Sequence, residues 1–369
     1  MSCANSGDRS VEGERPGVSN SAAMTSHIQT NRQFLAALFA GSFPGHGLVM
    51  DPVWPERPWV DDCAISRLPV ADWVPWALAR YEAVLAYHEA LEDDSVPCVG
   101  LPTGTEVFAA AFGCDCHLFE GSNPAAKPLV STAAEADALE VPGLTARPLE
   151  RLFEWGQLLR ERLGPEVPIT VPDIQSPFDI AALIWKKEAF YLAMYEAPDS
   201  VHRLVEKCTS LLKGFLQEFM RQFPECNLIH CPNCWAPPAL GCSLSEDEAG
   251  CLSPEMFEEF CLPSLLDLSE TFGGMFMHCC ATADYQYDNF RKIPRLRGLN
   301  RVFQAPGPGP AIEAFEGQTV LVQAWMDEAA ITAMVKQARP ESRFLFNVPG
   351  QPLEKAKGTL ERLRRALNR

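Results

Sequence analysis

His278, Cys279 and Cys280 close the apolar run Gly273-Gly274-Met275-Phe276-Met277 and combine an imidazole with two thiols at consecutive positions. On a β-strand successive side chains alternate faces, so His278 and Cys280 point one way and Cys279 the other, toward the helix layer. One imidazole and one thiolate converging at a strand end are the start of a zinc site. The same triplet also reads as two buried cysteines packing as small hydrophobes beside a hydrogen-bonded histidine. A second cluster, Ile229-His230-Cys231-Pro232-Asn233-Cys234-Trp235, has the same character. Pro232 cannot donate to a sheet and marks a strand exit, from which His230 and Cys234 can lean into the same space. The competing reading is a loop whose polar groups satisfy its own backbone.

The elements that must carry these residues alternate along the chain. β-type runs fall at 96–101, 127–131, 168–171, 227–231, 275–279, 296–302, 319–323 and 344–347. Amphipathic helical patterns cover 148–163, 198–223, 254–272, 327–337 and 353–367. At the start of the third, Ser253 can cap free N–H groups, Pro254 fits the first turn and Glu255 suits the positive end of the helix dipole. Eight strands alternating with helices predict an α/β fold, a single (β/α)8 TIM-type barrel over residues 31–369, preceded by a disordered polar tail at 1–30. In such a barrel chemistry sits where strands end and βα-loops begin, which is where both clusters fall.

Composition narrows the partners. The chain has 369 residues, 47% of them hydrophobic, enough for a large core, and no run long and apolar enough to span a membrane. Its 31 basic against 48 acidic residues give a net charge of −17, which repels phosphate backbones and excludes nucleic acid as a partner. The first 30 residues lack the apolar core of a signal peptide, and 14 dispersed cysteines fit free thiols or metal ligands in a reducing, cytoplasmic setting. The basic segment Glu361-Arg362-Leu363-Arg364-Arg365 reads as the solvated face of a last helix.

Several segments together resemble one family. Leu252-Ser253-Pro254-Glu255-Met256-Phe257-Glu258-Glu259-Phe260-Cys261-Leu262-Pro263 is similar to the Ser-Pro-x-Met-Phe-x-Glu-Phe-x-x-Pro helix of the uroporphyrinogen decarboxylase superfamily. His278-x-Cys280 stands at its His-x-Cys-Gly position, with Ala281 replacing the glycine. Asn31-Arg32-Gln33-Phe34-Leu35-Ala36-Ala37-Leu38 looks like the opening helix, Gln175-Ser176-Pro177-Phe178-Asp179-Ile180-Ala181 like the Gly-Pro-Phe-Thr-x-Ala segment, and Phe346-Asn347-Val348-Pro349-Gly350-Gln351-Pro352 like the closing strand and turn. The resemblance runs from about Asn31 to the C-terminus.

Two branches of that superfamily make different demands. The decarboxylases grip substrate carboxylates with an arginine-rich N-terminal loop, hold pyrrole N–H groups with an aspartate and carry a late histidine. Here no arginine lies between Arg32 and Arg57, 99–103 holds no aspartate, and Asn347-Val348-Pro349-Gly350 holds no histidine. The other branch comprises corrinoid-dependent methyltransferases, in which zinc on a His-x-Cys pair and a later cysteine binds a thiol that attacks the methyl group of a methylcobamide. This branch implies a zinc-dependent methyltransferase-like enzyme moving a methyl group between a small substrate and a corrinoid cofactor or protein, with His278 and Cys280 on zinc and Asp247 orienting the site. No cysteine follows Cys280, and Gln351 stands near the later cysteine's place. A third ligand must then come from Cys234, His230 or Cys242, or more remotely Glu106. The alternatives are a decarboxylase, of uroporphyrinogen or a smaller acid, and a non-catalytic corrinoid- or small-molecule-binding protein.

Overall fold

The computed structural model describes residues 22–54, 69–101, 103–119 and 123–367. Its strands are β1 (Gly47–Met50), β2 (Val99–Gly100), β3 (Cys116–His117), β4 (Ala125–Ala126), β5 (Ile169–Thr170), β6 (Cys226–Asn227), β7 (Cys242–Ser245), β8 (Met275–Cys279), β9 (Leu296–Arg301), β10 (Val320–Ala324) and β11 (Phe344–Val348). Apart from the antiparallel β3–β4 hairpin, all run parallel, in two arcs ordered β2-β5-β6 and β1-β11-β10-β9-β8-β7. Side chains and irregular backbone join the arcs. At one seam the Leu48 and Met50 N–H groups donate to the carboxylates of Asp94 and Asp93 (both 2.7 Å), and the Asp94 N–H donates to the Leu48 carbonyl (2.9 Å). At the other, Ser245 N–H donates to Ile174 O (2.8 Å) and Ser176 N–H to Ser245 O (2.6 Å). Among the described residues these nine parallel strands make the expected α/β barrel of the (β/α)8 type, with β6 and β7 following one another without an α-helix between them.

Four local expectations need correction. β1 and β7, short and in the case of Cys242-Ser243-Leu244-Ser245 half polar, carry too little apolar pattern to read as strands, yet every residue in them is buried. The run 127–131 contributes a single bridge, Val130 to Trp185, because Pro128 has no N–H to continue a ladder. The helix expected over 254–272 breaks into Pro254–Phe260 and Leu262–Phe272 at Cys261, two residues before Pro263. The helix Ala22–Ala40 begins inside the segment expected as a tail, whose residues 1–21 lie outside the described ones. The Ser253 cap is as expected, its hydroxyl accepting from Met256 N–H at 3.3 Å.

The strand that carries the triplet is tightly held. All five residues of β8 are buried, as a parallel strand with both faces covered requires. It is entered through Gly274, φ 152°, where a Cβ would lie 2.3 Å from the Leu240 carbonyl oxygen and 2.9 Å from that of Arg295. Only glycine lets β8 enter between its neighbours there. Outside the wall, helix Pro198–Gln222 turns Phe215 and Phe219 onto Phe153, part of the apolar layer that keeps the barrel rigid.

Candidate metal centre

β7, β8 and β9 deliver the polar residues of the barrel mouth in register: Ser245 pairs with His278 and His278 with Asn300. Beyond β7 the chain runs into Glu246 and Asp247, and beyond β8 into Cys280. Among the described residues one group of metal-binding side chains converges, Asp247, His278 and Cys280, with donor atoms all within 4.8 Å of one another. Donors around a tetrahedral zinc at about 2.0–2.3 Å stand roughly 3.3–3.8 Å apart. The group therefore reaches an ion by closing about an ångström. Nitrogen, sulfur and oxygen donors in a set of three leave one position open, the arrangement of catalytic zinc.

Each donor is oriented by a specific contact. Asn300 donates its amide N–H to the Val322 carbonyl (2.6 Å), which fixes which way the amide faces and turns its oxygen to His278 Nδ1 at 2.6 Å. An amide oxygen only accepts, so Nδ1 carries the proton and Nε2 keeps the lone pair a metal needs. The Asp247 carboxylate accepts the Cys280 backbone N–H at 2.7 Å. Burial first, and the Asp247 carboxylate second, push the Cys280 thiol up to about 11. Without a cation the thiol is protonated at neutral pH; a bound cation removes that penalty. Cys279, fully buried, faces away, with Arg301 donating to its carbonyl at 2.7 Å.

The remaining candidates fall outside that group. His230, its side chain 6% exposed, places Nε2 3.2 Å from Ser245 Oγ and 3.4 Å from Asp173 Oδ1, and burial lowers its pKa. Asp173 is itself held by Gln175 Nε2 at 2.7 Å. Cys234 is packed in an apolar cluster with Val49, Ile229 and Trp235, where burial raises its thiol pKa. Cys242 begins β7, at the strand's far end from the site, and Glu106 is buried where helix Val107–Ala111 starts. None of the four belongs to the converging group; the oxygen of Asp247 stands where a third nitrogen or sulfur was expected.

The sequence reading missed three kinds of residue. Asn300 could have been found, since a polar residue inside a buried β9 one register step from His278 has few roles but to face it. Cys231, whose Sγ lies 3.7 Å from His278 Nδ1, was passed over for its neighbours. Trp325, 59% exposed with φ 62°, sits across the mouth with its ring centroid 6.1 Å from that of His278, and no spacing announces it. A cavity of about 330 Å³ adjoins the site, lined by Arg80, Tyr81, Asp173, His230, Cys231 and Asn233. Cys231 is thus the wall between cavity and donors.

The model of the uroporphyrinogen decarboxylase (URO-D) family matches residues 81–299, more than half of the chain, and spans both Asp247 and the triplet. The chain belongs to the uroporphyrinogen decarboxylase family. Among solved structures it is similar to a methyltransferase from Methanosarcina mazei, at 16% identity and a TM-score of 0.63, over 91% of this chain and 98% of that one. It is also similar to the YdhT protein from Bacillus subtilis, at 9% identity and a TM-score of 0.41, over 91% and 87% of the two chains. No curated protein matches it in sequence. No helix among the described residues is long and apolar enough to cross a membrane.

Proposed function

We propose that this family member is a zinc-dependent, methyltransferase-like enzyme of the cytoplasm, moving a methyl group between a small substrate and a corrinoid cofactor carried by a partner protein. The observation that carries the reading is the convergence of Asp247, His278 and Cys280 at the mouth of the barrel. His278 would bind through Nε2, Cys280 as a thiolate and Asp247 through its carboxylate, leaving a fourth position for substrate. Zinc, when bound, acts as a Lewis acid that favours the anionic form of a thiol or hydroxyl at that position.

The chain's own residues do the rest. Asn300 keeps the His278 proton on Nδ1, and Asp247 holds the Cys280 backbone at the strand exit. The adjoining cavity of about 330 Å³ admits a molecule of modest size, and a corrinoid carried by a partner protein would meet the site from the solvent side. The Methanosarcina mazei methyltransferase, whose fold this chain resembles, shows that such a fold can carry methyl transfer. The test is elemental analysis of the purified protein, followed by mixing with methylcobalamin and a panel of small thiols and phenols. About one zinc per chain and a visible spectrum that shifts as the methyl–cobalt bond is lost are expected. A metal-free protein that leaves the spectrum unchanged would sink the proposal.

A further inference from the structure

Asp179 spends both carboxylate oxygens on the turn that carries Asp247. Its Oδ2 accepts the Asp247 N–H at 2.7 Å and its Oδ1 the Glu248 N–H at 3.1 Å. It stands in the first turn of helix Pro177–Ile184, where Ser176 caps the helix by accepting the Asp179 N–H at 2.9 Å, so its own place is fixed before it reaches across. Asp179 is 4% exposed. An acid in a first helical turn is common because it meets the positive end of the dipole. This one bonds instead to a loop 68 residues away.

The geometry points to Asp179 as a positioning residue of the candidate metal centre. Asp247 is held at two points, its backbone N–H by Asp179 and its carboxylate Oδ1 by the Cys280 N–H at 2.7 Å. The first contact sets the direction in which the side chain leaves the loop; the second ties that side chain to the exit of β8, where His278 and Cys280 stand. Removing Asp179 leaves two N–H groups without their acceptor and frees the loop to turn. The side chain of Glu246, next along, is fully buried against Asp179 and Ser176, on the Asp179 side of the turn. The inference rests on reading Asp247, His278 and Cys280 as metal ligands, and its test is chosen to separate the two.

Full-length Asp179→Ala and Asp179→Asn are compared with wild type by zinc competition against a chromogenic chelator and, metal-free, by amide hydrogen exchange. Loss of such an outer partner should weaken zinc binding about 10- to 100-fold, less for the isosteric asparagine than for alanine. In the metal-free protein, exchange should quicken at least about tenfold at Asp247, Glu248 and, through the freed carboxylate, Cys280. Ile180→Val, a buried change one residue along the same helix, serves as the control for simple destabilisation and should alter neither readout. Unchanged zinc affinity, or unchanged exchange at Cys280, would overturn the inference. Should wild type hold no zinc, the metal-centre reading falls and exchange at Cys280 alone decides the role of Asp179. If the alanine variant does not fold, the asparagine variant is read by the same criteria.

Discussion

Asn300→Ala isolates the contact that fixes the tautomer of His278, the residue proposed to bind zinc. The wild-type amide bridges two strands, donating to Val322 O at 2.6 Å and accepting from His278 Nδ1 at 2.6 Å, and it is 2% exposed. Truncation leaves the Nδ1 proton only the weak Cys231 sulfur acceptor at 3.7 Å and takes the side-chain donor from the Val322 carbonyl, and an unsatisfied buried group costs about 1–3 kcal/mol. For the metal, losing the partner that sets tautomer and ring orientation costs about 10- to 100-fold in affinity, or roughly 1.4–2.7 kcal/mol. Asn300→Asp separates the two effects, because a carboxylate still accepts from Nδ1 but cannot donate to Val322. The aspartate variant should hold zinc nearly as well as wild type while melting lower, and the alanine variant should lose on both counts. Zinc competition and thermal denaturation side by side read this out. An alanine variant that retains wild-type zinc affinity would refute the assignment of Nε2 as the binding atom.

Three further outcomes are expected. Cys280→Ser should purify with little zinc by elemental analysis, whereas Cys279→Ser, changed in a thiol that faces away from the site, should retain it. Cys234→Ser, which puts a hydroxyl into an apolar cluster, should lower stability with zinc content unchanged, and zinc loss in a well-folded variant would reinstate Cys234 as a ligand. Burial, opposed by Asn233 and Asn347, raises the Asp51 pKa from 3.8 to about 6. The native state then holds this proton more tightly than the unfolded chain, so stability from this group is full below about pH 4 and is lost as pH rises through about 6. The loss is on the order of 2–3 kcal/mol, and denaturation of Asp51→Asn should show a flatter slope across that window.

The fold was legible where the apolar pattern is long. β8, β9, β10 and β11 and the helices Pro198–Gln222 and Leu353–Ala366 follow their expected ranges closely because parallel strands and amphipathic helices leave strong periodic signals. β1 and β7 escaped because their pairing is set by tertiary partners, carboxylates of Asp93 and Asp94 in one case and the backbone of 174–176 in the other. The site divided in the same way. His278 and Cys280 are two positions apart on one chain segment, so alternation alone brings them to one face. Asp247 lies 33 residues from Cys280, and what places its carboxylate is a hydrogen bond from a backbone N–H together with a clamp from another helix. Neither leaves a trace in spacing. His230 and Cys234 looked equally suited by type; the seam at Ser245 takes the first and the apolar cluster takes the second.

Family membership does not by itself carry the family's namesake reaction, and the arginines argue against it here. Uroporphyrinogen brings eight carboxylates, and each one desolvated without a partner costs several kcal/mol. Arg291, Arg295, Arg297 and Arg301 follow one another near a single strand and are the obvious replacements for a missing clamp. Arg301 is buried and occupied by the Cys279 and Ala281 carbonyls and by Asp284. Arg295 donates to Gly273 O, at the opposite end of β8 from His278 and Cys280, with Arg297 beside Gly274 at that same end. Arg291 pairs with Asp288 on the surface, and Arg32 with Glu225 at 2.9 Å. Among the described residues Arg80 lines the cavity, stacked 3.9 Å over the Trp54 ring. Among the described residues lining the cavity this single guanidinium shares it with the Asp173 carboxylate, a charge balance that disfavours a polyanion. Incubation with uroporphyrinogen should therefore yield no coproporphyrinogen above the uncatalysed background, and turnover to product would show that the clamps exist in another form and that the methyl-transfer reading must be given up.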